Sequence, residues 1–230
     1  MAGGLATRLR PITEKIPKSL IEVNGEPFIA HQLRLLRNHG INQAVLCVGH
    51  LGEMIQTAIG DGSAFGVNVE YSFDGPTLLG TAGAIRKALP KLGAEFLVIY
   101  GDSYLPCDYN QVAQKFTMSS MQGLMTVFHN EGKWDTSNVE FTDGKILAYS
   151  KQERSPRMRY IDYGLGVFRA EAFSQLPEDK PYDLAMLYGD LLRHRQLAGF
   201  EVHERFYEIG SAAGLQETTN YLAAQKVSHS

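Results

Sequence analysis

Apolar positions along this chain alternate between strand-like runs and helical stripes. Residues 20–23 read as a short strand that ends at the turn dipeptide Asn24-Gly25. Pro27 suits the first turn of a helix, and Ile29, Leu33 and Leu36 then mark one apolar stripe, closed by Gly40. Residues 44–48 form a short apolar run of the buried-strand type. A helix over 51–59 stops at Gly60-Asp61-Gly62, and 67–71 alternates as a strand. Ala82, Ile85 and Leu89 have helical spacing, and 96–100 is again a strongly apolar run. The order strand, helix, strand, helix, strand predicts an α/β sandwich with a mostly parallel sheet. The second half is richer in strands. Segments 124–128, 137–141 and 146–150, the last two joined at Asp143-Gly144, read as antiparallel. Residues 160–169 form a further strand, 184–195 and 215–224 are helical, and 226–230 reads as a frayed tail.

Composition narrows the class. A chain of 230 residues is long enough for one well-buried domain. Its net charge of -3 gives no nucleic-acid surface, and no apolar run approaches the length of a membrane helix. The N-terminus lacks the apolar core of a signal peptide. Cys47 and Cys107 are far apart, without a Cys-x-x-Cys, which suits two buried thiols in a reducing cytoplasm. The seven histidines show no metal-ligand spacing and read as structural or surface residues.

The candidate chemistry is concentrated at the start. Gly3 and Gly4 let backbone pass close to a ligand. Thr7 adds a hydroxyl, Arg8 a planar fork that grips phosphate, and Lys18, behind Pro17, a mobile point charge. These groups suit a polyphosphate, and they suit a solvated turn equally. No Gly-Lys-Ser/Thr follows, so this is not a P-loop, and the third glycine of the dinucleotide fingerprint is missing. Further on, Asp102 stands at the carboxyl end of a buried strand, where open α/β sheets place ligands. Mg²⁺ takes one or two carboxylates plus phosphate oxygens and water, which makes Asp102 a metal-ligand candidate; a turn or capping role is the other reading. Gly80 and Gly83 open a helix, either for close packing or to admit a flat group.

The pattern Gly-Gly-x-x-Thr-Arg-Leu-x-Pro, with Pro-Lys shortly after, resembles the signature of the sugar-1-phosphate nucleotidyltransferases, or nucleotide-sugar pyrophosphorylases. The resemblance runs from Gly3 to about Leu222. It implies a three-layer α/β sandwich with a mostly parallel central sheet. It also implies one catalytic domain over 1–225, with a nucleotide-binding half over about 1–120 and a sugar-phosphate half over about 121–225. Members carry an apolar strand before the glycine loop; here only Met1 and Ala2 precede Gly3, so the first strand is expected to be truncated. The overall texture resembles short forms acting on mannose- or heptose-1-phosphate with GTP.

The resemblance also assigns roles. Gly3, Gly4, Thr7, Arg8, Gly80 and Gly83 would contact nucleotide, and Arg8, Lys18 and Asp102 would be catalytic. Asp102 and Glu208 would hold Mg²⁺, Glu208 standing where members often carry Asp. Lys151, Asp162 and Gly164 would bind the sugar phosphate. Two departures stand out: Ser150-Lys151 replaces a Glu-Lys pair, and Asp162-Tyr163-Gly164 replaces Asn-Ala-Gly. Asp in place of Asn leaves an acceptor without a donor. The implied partners are a nucleoside triphosphate and a sugar 1-phosphate, with neither nucleic acid nor membrane; a homo-oligomer is compatible. Two rival readings are a glycosyltransferase, disfavoured because Asp102-Ser103-Tyr104 lacks a second Asp, and a non-catalytic relative that kept the fold.

Overall fold

The computed structural model describes residues 15–177 and 180–228, with side chains through 225. Gly3, Gly4, Thr7 and Arg8 lie outside the described residues. In chain order the elements begin with β1 (Glu22–Val23), β2 (Glu26–Pro27), α1 (Phe28–Asn38), β3 (Gln43–Val48), α2 (Gly52–Ile59) and β4 (Asn68–Phe73). Next come α3 (Gly80–Ala88), β5 (Glu95–Ile99), β6 (Ser103–Tyr104), α4 (Tyr109–Thr117), β7 (Gly123–His129), β8 (Val139–Thr142) and β9 (Lys145–Tyr149). The chain continues through β10 (Tyr160–Arg169), α5 (Glu171–Ser174), α6 (Leu184–Arg193), β11 (Leu197–Val202), β12 (Tyr207–Glu208) and α7 (Ala212–Ser228). Helix α7 continues through 226–228, where the sequence pattern suggests a tail.

These elements form two compact units that interleave along the chain. The first unit holds described residues 15–78, 100–104 and 206–228. Within it β3 and β4 pair in parallel from Gln43 with Asn68 to Val48 with Phe73. Ile29 and Leu33 of α1, Val48, Ile55 and Ile59 of α2, Val67 and Val69 form one core. The spacing of Ile29 and Leu33 puts both on one face of α1, which is the face buried here. A second core joins Ile21, Val23 and Phe28 to Ile209 and Leu222.

The second unit holds residues 79–99 and 105–205. Its sheet runs β11-β7-β10-β8-β9, with β5 also paired to β10. The β7–β11 pair is parallel, while β10 is antiparallel to β5, β7 and β8. The whole is therefore an α/β fold with mixed strand pairing, its parallel pairs being β3–β4 and β7–β11 among the described residues. Asp108 caps α4, accepting from the backbone N–H groups of Asn110 and Gln111 at 2.9 and 3.1 Å. Such a cap contributes about 1 kcal/mol. No helix among the described residues is long and apolar enough to cross a membrane.

Candidate active site

In the first unit the charged groups gather where β6 pairs with β12. Pro17 fixes its own backbone dihedral and the chain turns at once, Leu20 N–H donating to the Pro17 carbonyl at 2.9 Å. That turn aims Lys18, whose Nζ lies 2.8 Å from Asp102 Oδ2. The two side chains are 20% and 36% exposed. An ion pair this open adds on the order of 1 kcal/mol or less to stability, so its value is positional.

Residues 100–103 are braced from α1. Gln32 Nε2 donates to the carbonyls of Tyr100 at 3.0 Å and Ser103 at 2.8 Å. The short ladder sets Glu208 opposite Ser103, and Ile209 N–H donates to the Asp102 carbonyl at 2.9 Å. Gly210 completes the arrangement. A β-carbon built on it would stand 3.6 Å from Glu208 Oε1 and 3.8 Å from Lys18 Nζ. The Glu208 carboxylate and the Lys18 ammonium thus border the space beside Gly210, and the ion pair with Lys18 brings the Asp102 carboxylate next to that ammonium. Among the described residues no three His, Cys, Asp or Glu side chains cluster as a complete metal cage. A two-carboxylate site with neighbouring room fits Mg²⁺, which keeps waters and takes substrate phosphate oxygens as ligands.

The second unit carries the other predicted group. β10 shifts register between Asp162 and Gly166, and Gly164 within that bulge has φ +97°. The Asp162 carboxylate bends back onto the bulge, accepting from Gly164 N–H at 3.1 Å and from the Tyr149 hydroxyl at 3.4 Å. Asn138 Oδ1 accepts the Asp162 N–H at 2.9 Å. Burial pushes the Asp162 carboxyl above its usual range, although the Lys151 ammonium, the Gly164 N–H and the Tyr149 hydroxyl pull the other way. Ser150 replaces the family's acid with a turn-former: its Oγ accepts the N–H groups of Gln152 at 3.2 Å and Glu153 at 2.9 Å, shaping the loop that carries Lys151.

Asp162→Asn tests this environment through pH. Between the unfolded and the raised folded value the folded protein holds the proton more tightly, so stability falls as pH rises. The variant should therefore unfold at a higher temperature than the wild type near neutral pH. That advantage should shrink as pH falls below the raised folded value and be gone below the unfolded carboxylate value of about 4. A difference that stays constant across a pH series of thermal melts would contradict the assignment.

Gly80 and Gly83 are explained by packing. Gly80 has φ +71°, and a β-carbon there would lie 2.8 Å from the Tyr182 carbonyl oxygen. That same carbonyl accepts the N–H groups of Ala82 and Gly83 at 2.8 and 3.0 Å. Thr81 Oγ1 accepts the Leu184 N–H at 2.6 Å and so caps the start of α6. The start of α3 is thus satisfied by the 182–184 segment. Gly80→Ala should cost about 1–3 kcal/mol, read as a lowered unfolding temperature. An unchanged melt would show that 180–182 yields without cost.

Gln32, Asn138 and Tyr149 join these clusters without any signal in the sequence pattern, because each acts through a partner distant in the chain. A family model described as Nucleotidyl transferase matches residues 1–181. N-acetylmuramate alpha-1-phosphate uridylyltransferase of Neisseria meningitidis serogroup B is 30% identical over 232 residues, covering 98% of both chains. Mannose-1-phosphate guanyltransferase of Saccharomyces cerevisiae is 37% identical over 218 residues, covering 91% of this chain and 60% of that protein. The crystal structure of HddC from Yersinia pseudotuberculosis complexed with GMP-PN matches with a TM-score of 0.79 at 20% identity, covering 96% of each chain. At that identity the likeness shows the fold.

Proposed function

We propose that this chain, which belongs to the nucleotidyl transferase family, transfers a nucleotidyl group from a nucleoside triphosphate to a sugar 1-phosphate. A phosphate oxygen of the sugar attacks the α-phosphorus, the bond to the bridging oxygen breaks, and pyrophosphate leaves with that oxygen's electron pair. One observation carries the reading: Lys18 pairs with Asp102 and, together with Glu208, flanks the opening at Gly210. Transfer between two anions needs positioning and charge compensation more than covalent help.

Asp102 and Glu208 would hold Mg²⁺. When bound, the ion supplies positive charge to the triphosphate oxygens, where negative charge builds as the leaving group departs. Lys18 shares Asp102 as its counter-ion and offers its remaining ammonium hydrogens to phosphate. Arg8, with the backbone of Gly3 and Gly4 and the Thr7 hydroxyl, would grip the β and γ phosphates. Lys151 would compensate the acceptor phosphate, and Asp162, as an acceptor-only group, would take hydrogen bonds from sugar hydroxyls. Formed sites around Lys18 and Asp162 support turnover over an inert binding module. Two free, buried thiols and a triphosphate substrate fit a cytoplasmic enzyme.

The relatives use both uracil and guanine nucleotides, so the test crosses donors with acceptors. Pyrophosphate release is followed for UTP, GTP, CTP and dTTP with N-acetylmuramate, mannose, heptose and glucose 1-phosphates. Release should need both substrates and Mg²⁺, and stop with EDTA. Triphosphate binding without release for any pair would refute the proposal.

A further inference from the structure

We propose that α7 is the positioning element of the carboxylate pair, with Thr218 and Tyr221 fixing Glu208 relative to Asp102. This rests on the reading that Asp102 and Glu208 hold a divalent cation. The need for such an element follows from β6 and β12 themselves. Each is two residues long, and among the described residues each pairs with the other and with no further strand. A ladder that short does not hold its own register. Yet it is this ladder that sets the spacing of the two acids.

Helix α7 grips both strands, at Tyr207 one residue from Glu208 and at Tyr104 two residues from Asp102. The ring of Tyr221 stacks on Tyr207 with centroids 3.9 Å apart and planes 19° apart. Its edge meets Tyr104 at 6.0 Å. Tyr207 and Tyr104 are register partners across the ladder, so one ring clamps the pair. Aromatic contacts of this kind contribute about 0.5–1.5 kcal/mol each beyond area burial. Thr218, fully buried, shares its hydroxyl hydrogen between the Gly214 carbonyl at 2.7 Å and the Glu208 carbonyl at 3.2 Å.

Gly214 shows how close the approach is. A β-carbon there would sit 2.5 Å from the Glu208 carbonyl oxygen. Leu222 is buried against Ile209, the residue whose N–H holds the Asp102 carbonyl. At the other edge, Asn24 Nδ2 donates to the Thr219 carbonyl at 3.0 Å and ties α7 to the turn after β1. Backbone position, strand register and helix depth thus all converge on Glu208. Thr218 and Tyr221 also lie beyond residues 1–181, the stretch matched by the family model.

Groups that orient metal ligands typically change affinity by about 10–100-fold when removed. The probe is Mn²⁺ alone, its free concentration read by electron paramagnetic resonance during titration of the protein. Thermal unfolding is recorded in parallel. Thr218→Val and Tyr221→Leu should each weaken Mn²⁺ binding about 10-fold. They should raise the Mg²⁺ concentration for half-maximal pyrophosphate release by a similar factor. Tyr221→Phe keeps the stacked ring and should bind Mn²⁺ as the wild type does. Thr218→Val preserves side-chain shape and decides the matter if Tyr221→Leu does not fold.

Glu208→Gln separates the two claims. If it loses Mn²⁺ while the α7 variants bind normally, the positioning role is overturned and the carboxylate reading stands. If Glu208→Gln itself binds Mn²⁺ normally, the carboxylate reading falls and takes this proposal with it.

Discussion

Asp102→Ala is expected to lower turnover by about 10²-fold or more, with the fold intact. Asp102 is the residue on which the first cluster converges: its Oδ2 holds Lys18 at 2.8 Å, and its carbonyl holds Ile209 N–H at 2.9 Å. Only the first of these depends on the side chain. Removing it takes away a carboxylate for the cation and leaves Lys18 without the partner that aims it. The stability lost with a half-buried, solvent-reached ion pair is on the order of 1 kcal/mol, too little to unfold a domain of this size. The effect should therefore appear in kcat, with triphosphate affinity changing less. Lys18→Ala should fall to a similar degree. Near-normal turnover in a folded Asp102→Ala enzyme would remove this residue from the chemistry.

Gly210→Val should be almost as damaging for a different reason. A β-carbon alone would make ordinary contact with Glu208 Oε1 and Lys18 Nζ, at 3.6 and 3.8 Å. Gly210→Ala should therefore be tolerated. The two γ-methyl groups of valine reach further and crowd the space between acid and amine. Misplacing a reacting phosphate by about 1 Å can cost about 10²-fold, so turnover is expected to fall by that order. Gly210 is part-exposed, so the unfolding temperature should stay near the wild type's. Steady-state kinetics on the alanine and valine variants, beside thermal melts, make the comparison. Equal activity in both variants would show that the opening is not used.

Much of the fold is legible because buried strands and amphipathic helices write themselves locally. The run at 44–48 becomes β3, and the apolar stripe after Pro27 becomes α1. What cannot be read are elements defined by distant partners. β6 and β12 are too short for any period, and each exists because the other lies beside it. β11 is hidden by Gly199 and Glu201, which break its apolar run, although all of it pairs in parallel with β7, from Leu197 with Gly123 to Val202 with Phe128. Helix α4 carries a readable cap at Asp108 and buried Tyr109, Val112 and Phe116, but its exposed face is polar enough to pass as loop.

The site divides in the same way. Lys18 and Asp102 stand out as charged residues beside a turn and a strand end, while Lys151 and Glu208 stand out only through the family resemblance. Gln32, Asn138, Thr218 and Tyr221 do not, because a glutamine or tyrosine becomes a brace only through what it touches. Gly80 shows the opposite case. Its sequence context suggests ligand contact, and the structure adds a packing reason for glycine, the Tyr182 carbonyl standing where a β-carbon would be.

The most direct test of the central claim is product stoichiometry with purified enzyme, Mg²⁺, a triphosphate and a sugar 1-phosphate. Pyrophosphate is measured enzymatically and the nucleotide-sugar by mass spectrometry in the same reaction. Equal amounts of the two products, lost together in Asp102→Ala, are the predicted result. A nucleoside monophosphate formed without nucleotide-sugar, or bound triphosphate with no product for any acceptor, would contradict it.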